Sequence, residues 1–332
     1  MMPNALSSTL HTMAAAPLAD LATIDVSRLP DDPSAIAAID TACQRWGCFH
    51  VRGYAEISDL DNTVISRLQS AMRGFFAADR PVKQAIERTA DNAWGWFDRE
   101  LTKNTRDWKE IFDVGPADGL NVPQWPALPE FQDAVSGYYR ACESLAVSLL
   151  QALSAALGMP ANHLDADFAA HTSFLRLNHY PPCPRPAAHD APSGDPKHAF
   201  AISHHTDSGA LTVLLQDGPP ALQLQREGRW YIVDAPPDTL TVNIGDVVQV
   251  WSNDRYTAPL HRVLANATET RFSVPFFLNP NATAHYSPLP SLCALAPPRY
   301  RAINWGEFRA RRAAGDYADI GTEVQISDYR LD

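Results

Sequence analysis

Three residues with metal-binding side chains, His205, Asp207 and His261, are the clearest sign of chemistry in this chain of 332 residues. In a β-strand, residues two positions apart point to the same face, so His205 and Asp207 can reach one cation side by side. His261 lies 54 positions after Asp207 and is the candidate third ligand. Two histidines and one carboxylate on one side of a metal leave its opposite side open to other molecules.

A His-x-Asp pair by itself is weak evidence, because a hydrogen-bonded surface turn can have the same spacing. Neighbouring histidines do not supply a better set. His204 is predicted to lie on the strand face opposite to His205, and His285 follows the last core strand. His205 and His261 therefore remain the strongest pair of candidate ligands.

A second pair, Arg271 and Ser273, begins ten residues after His261 and again has the spacing of one strand face. It places a guanidinium group beside a hydroxyl. Between the two pairs, the segment from Leu240 to Trp251 predicts two strands that are joined by a Gly-Asp turn. The residues with possible chemical roles therefore fall on a series of short predicted strands.

The segments around these residues resemble the plant-type 2-oxoglutarate and Fe(II)-dependent oxygenases, the family that includes isopenicillin N synthase. The matching stretches are HTDSGALTVLLQD, NIGDVVQVWSNDRY, PLHRVLAN and RFSVPFFLNP. Upstream, the stretch LRLNHYPPCP at 175–184 is similar to the strand that enters the core of this family. The resemblance extends from about Thr23 to Leu331, and it indicates the family without indicating the substrate.

This resemblance implies that His205, Asp207 and His261 bind one Fe(II) and act as the catalytic centre. The co-substrate 2-oxoglutarate would take two of the open positions on the metal, and O₂ would take the third. The implied enzyme is a 2-oxoglutarate- and Fe(II)-dependent dioxygenase. It would couple oxidative decarboxylation of 2-oxoglutarate to hydroxylation, desaturation or cyclisation of a small organic metabolite.

The same resemblance implies that Arg271 and Ser273 hold the far carboxylate of 2-oxoglutarate. Arginine suits this role because its planar group can make two parallel hydrogen bonds to a carboxylate. Tyr180 would add a hydrogen bond from its phenol, and Asn178 would lie near the metal on the same strand face. These four residues are the predicted co-substrate site.

Two other functions remain open at this point. In an oxidase similar to isopenicillin N synthase, no 2-oxoglutarate is used, and the Arg-x-Ser pair binds the carboxylate of the substrate itself. A non-catalytic jelly-roll binding protein could retain the metal only for structure. The three-residue ligand set argues against this second alternative, because structural metals prefer a closed site with four ligands.

Composition limits the classes of partner. The formal net charge is −11, which makes nucleic acids and anionic membrane surfaces poor partners. Five scattered cysteines form no metal-binding pair and suit a reducing compartment. We expect a cytoplasmic enzyme of secondary metabolism that acts as a monomer on a small molecule.

Helical periodicity in the first half, followed by many short strands with turn signals, predicts a mixed α and β fold with a double-stranded β-helix, or jelly-roll, core at 171–280. Residues 1–20 are expected to be a disordered lead, and 21–160 to form a helical region that packs on one sheet. Residues 281–332 would add a C-terminal helix, near 303–312, and a tail. The predicted N-terminal helices span 34–46, 58–76 and 131–157, and no linker separates them from the core as an independent domain.

The segment from Asn92 to Asp113 is dense in aromatic and basic residues and lies where the resembled family covers its metal pocket. We expect it to line the substrate entrance, with Phe97, Arg106 and Phe112 as contacts. Phe276 is predicted to contact the substrate from the last core strand. These aromatic residues indicate a flat, apolar small molecule.

Overall fold

The computed structural model describes residues 18, 20–102, 105–118, 121–188, 191, 198–317 and 324–331. The predicted disordered lead at 1–20 lies almost entirely outside these residues. The strands, in chain order, are β1 (Thr23–Asp25), β2 (Cys48–Arg52), β3 (Gly95–Phe97), β4 (Leu101–Thr102), β5 (Thr105–Arg106), β6 (Glu110–Val114), β7 (Phe174–Tyr180), β8 (Phe200–His205), β9 (Leu211–Asp217), β10 (Leu222–Arg226), β11 (Arg229–Ile232), β12 (Leu240–Ile244), β13 (His261–Leu264), β14 (Arg271–Leu278), β15 (His285–Tyr286) and β16 (Ile303–Asn304).

Two sheets form the core of the protein. The large sheet has the strand order β1-β2-β12-β9-β14-β7-β6-β3, and the small sheet has the order β11-β10-β13-β8. An apolar cluster joins them, because it combines residues of the large sheet, such as Tyr180 and Leu214, with residues of the small sheet, such as Leu224 and Val263. The predicted double-stranded β-helix is therefore confirmed.

The α-helices are α1 (Pro33–Arg45), α2 (Asn62–Ala77), α3 (Arg80–Gln84), α4 (Phe131–Ala156), α5 (Asp165–Phe168), α6 (Asp246–Trp251), α7 (Pro290–Cys293) and α8 (Trp305–Tyr317). Helix α4 packs against α1 and α2 and against the strands β9 and β14. Its apolar face joins a second, larger cluster that includes residues from Ile24 to Tyr329. The helical region thus covers one face of the large sheet, as the sequence predicts.

Local sequence signals explain where the first helix begins and ends. The side chain of Asp32 accepts a hydrogen bond from the backbone N–H of Ser34 at 2.9 Å, which caps the N-terminus of α1. Gly47 follows the helix with a φ of 63°, a left-handed conformation that glycine adopts without steric cost. The chain then turns directly into β2 and so delivers that strand to the edge of β12.

Residues 246–251 form helix α6, so the prediction of a second strand in this segment is wrong. All six residues of α6 are buried. The segment has only six residues, four of them apolar, so in length and composition it resembles a buried strand. Helix α8 also differs from its prediction, because it begins at Trp305 and continues to Tyr317, whereas Ile303 and Asn304 pair with β15.

Helix α6 starts from a close contact with the turn that follows β8. The backbone N–H groups of Gly245 and Asp246 donate to the carbonyl oxygens of Ala210 and Asp207, each at 2.8 Å. A Cβ atom at position 245 would lie 2.8 Å from the carbonyl oxygen of Asp207 and closer still to that of Gly209. Only glycine allows this approach.

None of the helices in the described ranges is, by itself, long and apolar enough to cross a membrane. Only a sharply bent pair, Phe131–Ala156 with Ala161–Phe168, meets the length and composition requirements together.

Gly245→Ala is expected to destabilise the fold by about 1–3 kcal/mol, because the backbone around Asp207 must move to admit the methyl group. The free energy of unfolding from urea titration measures this loss. Gly74→Ala is the matched control, since a Cβ at this exposed helical position meets no atom within 4 Å. The control should gain stability by about 0.5–1 kcal/mol; equal effects of the two substitutions would contradict the contact described.

Candidate metal centre, co-substrate pocket and substrate cavity

The three predicted metal ligands lie close together at one end of the strands β8 and β13 of the small sheet. His205 ends β8, His261 begins β13, and the pairing of these strands places the two residues directly opposite each other. Asp207 follows β8 by two residues, and its Oδ1 lies 3.8 Å from Nε2 of His205 and 3.7 Å from Nε2 of His261. One ligand atom from each residue lies within 4.8 Å of the others, which is a suitable arrangement for a metal ion.

Backbone carbonyl groups fix the orientation of both imidazole rings. Nδ1 of His205 is 2.8 Å from the carbonyl oxygen of Ser203, and Nδ1 of His261 is 3.0 Å from that of Pro259. Since a carbonyl oxygen can only accept, each Nδ1 must carry the proton. Each Nε2 is then the unprotonated nitrogen that faces the metal position.

The electrostatics favour the charge states that a metal requires. Burial lowers the pKa of His205 to about 3, with a further contribution from His261, so the ring is neutral at neutral pH. Burial opposes the negative charge of Asp207, but attraction to the two histidines and two hydrogen bonds outweigh it, so the pKa of this carboxyl lies below its usual value. A neutral imidazole and an ionised carboxylate are the metal-binding forms.

The two hydrogen bonds to Asp207 come from residues that the sequence analysis did not identify. Oδ2 accepts from Oγ1 of Thr212 and from Nδ2 of Asn243, each at 2.6 Å. Hydrogen bonds to a charged group contribute about 1.5–3 kcal/mol each. The signal in the sequence was the presence of polar residues, Thr212 and Asn243 among them, within the largely apolar strands LTVLLQD and LTVNI.

The four residues predicted to bind 2-oxoglutarate also lie together. Strands β7 and β14 pair so that Arg271 is opposite Tyr180 and Ser273 is opposite Asn178. Oγ of Ser273 is 2.9 Å from the hydroxyl of Tyr180 and accepts from Nδ2 of Asn178 at 3.3 Å. A guanidinium, a hydroxyl and a phenol thus form one buried polar cluster on the strands β7 and β14.

Among these residues, Arg271 is the one whose surroundings indicate a bound ligand. Its side chain is buried, and Nε and Nη1 have no hydrogen-bond partner within the described part of the chain. Burial lowers the pKa of this group, which reflects the cost of keeping a charge out of water. A bound carboxylate would remove that cost, so the residues present fit an anionic co-substrate.

A chain of hydrogen bonds orients the guanidinium of Arg271 from behind. Nη2 donates to Oε1 of Gln216 at 2.9 Å, and Nε2 of Gln216 donates to Oγ1 of Thr241 at 3.1 Å. Oγ1 of Thr241 is in turn 3.2 Å from Nδ1 of His50. Sequence reasoning missed Gln216, Thr241 and His50, because their role depends on the order of β14, β9, β12 and β2 in the sheet.

A cavity of about 200 Å³ opens beside the metal position. His205, Asp207 and Asn178 contribute to its wall, which connects it to both sites described above. Its apolar lining includes Trp94, Leu101, Phe174, Ile202, Pro275 and Phe277. The predicted entrance segment therefore does reach the cavity, through Trp94 and Leu101.

The four individual residues predicted to contact the substrate do not line this cavity. Phe112 and Phe276 are fully buried in the cluster beneath the helices, where Phe112 packs on Phe75 and Phe276 on Tyr139. Phe97 lies under the guanidinium groups of two arginines, outside the cavity. Arg106 is exposed and donates to the carbonyl oxygen of Asp98.

A buried ionic network forms the polar wall of the cavity. Glu100 binds Lys109 at 2.7 Å and Arg176 at 2.8 Å, and Arg176 also binds Asp113 at 2.8 Å. Attraction to these bases outweighs burial and lowers the pKa of Glu100 below its usual value. These opposite charges balance one another, so the cavity combines an apolar wall with a charged but paired polar wall.

The same network is linked to the metal centre through Asp107. Lys109 binds Asp107 at 3.2 Å, and Oδ1 of Asp107 accepts from the backbone N–H of Ser203 at 3.2 Å. The carbonyl group of Ser203 orients His205, as described above. Burial is the main cause that raises the pKa of Asp107, to about 6.

Helix α8 also contacts the metal-binding turn. Nη2 of Arg312 donates to the carbonyl oxygen of Thr206 at 3.0 Å, between the two ligands His205 and Asp207. Nη1 of the same group lies 3.2 Å from the carbonyl oxygen of Val324 and from Oε1 of Gln325. The C-terminal segment is thereby connected to the backbone of the metal site.

Comparisons with known proteins agree with this geometry. The family model of the 2OG-Fe(II) oxygenase superfamily matches residues 171–280, and the model described as non-haem dioxygenase in morphine synthesis N-terminal matches residues 17–129. Gibberellin 3-beta-dioxygenase 2-2 of Triticum aestivum is 31% identical over 297 residues, which are 85% of this chain and 76% of the relative. Protein DMR6-LIKE OXYGENASE 1 of Arabidopsis thaliana is 28% identical over 275 residues, 78% of this chain and 72% of the relative.

Two solved structures are similar throughout. JOX2 in complex with 2OG, Fe and JA is 26% identical, with a TM-score of 0.75 over 87% of this chain and 84% of that chain. The dioxygenase for auxin oxidation from rice is 26% identical, with a TM-score of 0.71 over 94% of this chain and 100% of that chain.

The chain therefore belongs to the 2OG-Fe(II) oxygenase superfamily. It is an oxidoreductase, a 2-oxoglutarate-dependent dioxygenase with Fe(II) as its metal, and it couples decarboxylation of 2-oxoglutarate to the oxidation of a small organic metabolite. The predicted family, fold, reaction and cofactors are confirmed, in preference to the oxidase that uses no 2-oxoglutarate and to the non-catalytic protein.

Proposed function

We propose that His205, Asp207 and His261 hold the Fe(II) and that Arg271 and Ser273 hold the far carboxylate of 2-oxoglutarate. The observation that carries this proposal is the convergence of three ligand atoms on a point that is open toward a cavity. The buried guanidinium of Arg271, with two nitrogens that lack a partner among the described residues, supports the second assignment. When bound, the iron and its co-substrate supply the oxidising chemistry.

The residues of the chain bind and orient the metal and the co-substrate. Tyr180 supports Ser273 by a hydrogen bond, and Asn178 connects the co-substrate pocket with the cavity. The two imidazole rings present their unprotonated nitrogens without reorganisation, since their Nδ1–H groups are already satisfied by the backbone. Such preorganisation reduces the free energy needed to assemble the site.

His261→Ala should abolish turnover and lower Fe(II) affinity steeply, because two ligands form an incomplete site. Titration with Fe(II) under anaerobic conditions, together with succinate formation, measures both effects. His285→Ala is the matched control, since His285 is exposed and lies in β15, outside the ligand set. Normal metal binding by His261→Ala would exclude the proposed ligand set.

Arg271→Gln should weaken 2-oxoglutarate binding by about 30- to 1,000-fold, since loss of a charge-assisted bidentate contact costs about 2–4 kcal/mol. Fe(II) binding should be unchanged. Arg271→Lys should restore only part of the affinity, because a point charge does not reproduce the planar fork. The measurement is a titration of the visible band of the iron chelate with 2-oxoglutarate in the absence of O₂. An unchanged titration for Arg271→Gln would overturn the assignment.

We further propose that the cavity beside the metal binds the substrate. Its aromatic wall includes Phe174 and Phe277, whose rings are stacked with centroids 4.6 Å apart, and its polar wall includes Glu100 and Arg176. This combination supports a small metabolite that has an apolar ring or chain and at least one polar group. The name of the wheat relative, which refers to gibberellin, and the JA in the JOX2 complex support the same class.

Phe277→Leu should reduce substrate-driven succinate formation, because the substrate loses part of its aromatic wall. Decarboxylation of 2-oxoglutarate without substrate should change little. Phe97→Leu is the control, since Phe97 is aromatic and partly buried but does not line the cavity. The assay uses a panel of small apolar metabolites with hydroxyl, amino or carboxyl groups. Equal losses in both variants would contradict the placement of the substrate.

We also propose that the enzyme is a cytoplasmic monomer of secondary metabolism and needs neither nucleic acid nor a membrane. The net charge of −11 and the five cysteines without disulfide bonds support this setting. Sedimentation equilibrium and cell fractionation test the two parts of the proposal; a stable dimer or a membrane-bound fraction would contradict it.

A further inference from the structure

The two oxygens of Asp207 have different surroundings. Oδ1 lies 3.8 and 3.7 Å from the Nε2 atoms of His205 and His261, at the metal position. Oδ2 accepts two hydrogen bonds of 2.6 Å, from the hydroxyl of Thr212 and the amide of Asn243. A carboxylate oxygen has two lone-pair sites, so the two donors together satisfy Oδ2.

The donors are fixed independently of the metal-binding strands. Thr212 in β9 and Asn243 in β12 are direct cross-strand partners in the large sheet, whereas His205 and His261 belong to the small sheet. Both donors are buried. Strands β9 and β12 are themselves paired on their other edges, with β14 and β2. The pair therefore presents its two polar groups to Asp207 from a rigid surface.

We propose that Thr212 and Asn243 are positioning residues that restrict Asp207 to one oxygen at the metal. This inference rests on the proposed ligand set. A carboxylate with both oxygens available can bind a metal through one of them or through both. With Oδ2 held by the sheet, only Oδ1 can reach the metal.

The restriction preserves the number of open positions. Three single-atom ligands on a six-coordinate metal leave three positions, which are needed for the two contacts of 2-oxoglutarate and one of O₂. A carboxylate bound through both oxygens would occupy one of these three. Co-substrate and O₂ could then not be held together, although the metal would still be bound.

The test uses the protein loaded with Mn(II) under anaerobic conditions. Bound Mn(II) is titrated by electron paramagnetic resonance, and exchangeable water on the metal is counted by water-proton relaxation. The variants are Thr212→Val and Asn243→Leu, separately and combined, because each removes a donor and nearly preserves side-chain volume. Thr212→Ser is the matched control, since it retains the hydroxyl group.

The combined variant should keep Mn(II) affinity within about tenfold of the wild-type value, while its exchangeable water falls from about three molecules to about two. Thr212→Ser should retain the wild-type number. If Thr212 and Asn243 only stabilised the fold, the combined variant would be less stable in thermal unfolding but would keep the wild-type number of exchangeable water molecules.

Two results would overturn the inference while leaving the proposed ligand set intact. One is an unchanged number of exchangeable water molecules in the combined variant. The other is weaker Mn(II) binding by the combined variant while the metal that is still bound keeps the wild-type number of water molecules. Failure of the wild-type protein to bind Mn(II) would instead contradict the ligand set itself. Mn(II) binding by the wild-type protein therefore tests the ligand set, and the water count of the combined variant tests the role of Thr212 and Asn243.

Discussion

The pairing of β8 with β13 is the constraint on which the metal centre depends. It places His205 directly opposite His261, and the position of Asp207 two residues beyond β8 completes the set. Because the backbone also supplies the acceptors for both Nδ1–H groups, the ligand geometry follows from strand register. The large sheet adds a second, independent constraint through the hydrogen bonds to Asp207. The metal position therefore lies where two rigid sheets meet.

Buried charge is the main energetic cost of this design. Arg271, Lys109 and Glu100 are all buried, and moving such groups out of water is unfavourable unless each finds a partner. Lys109 and Glu100 satisfy one another, whereas Arg271 keeps two nitrogens that have no partner in the described part of the chain. The paired charges of Lys109 and Glu100 thus join parts of the cavity wall, whereas Arg271 is the group that we propose binds the co-substrate.

Strand periodicity placed His205 with Asp207, and Arg271 with Ser273, on single strand faces, because i, i+2 spacing is visible in one segment at a time. The roles proposed for these residues came from the family resemblance. The same periodicity puts Phe276 out of phase with Arg271 and Ser273, so its side chain faces the helices. Phe112 could not be placed in this way, since its orientation depends on the register of β6 against β7. The donors Thr212 and Asn243 belong to two segments whose adjacency only the folded sheet reveals. Helix α6 was missed because a buried segment of six residues, four of them apolar, has the length and composition of a buried strand.

The contact from Arg312 to the carbonyl group of Thr206 has a consequence for biosynthesis. Arg312 lies 106 positions after Thr206, and its partners Val324 and Gln325 lie further along the chain. During translation, the turn that carries His205 and Asp207 is therefore made well before the side chain that contacts it, although domains begin to fold while they are synthesised. This turn would accordingly gain its contact with Arg312 only after helix α8 has been made and has packed against it.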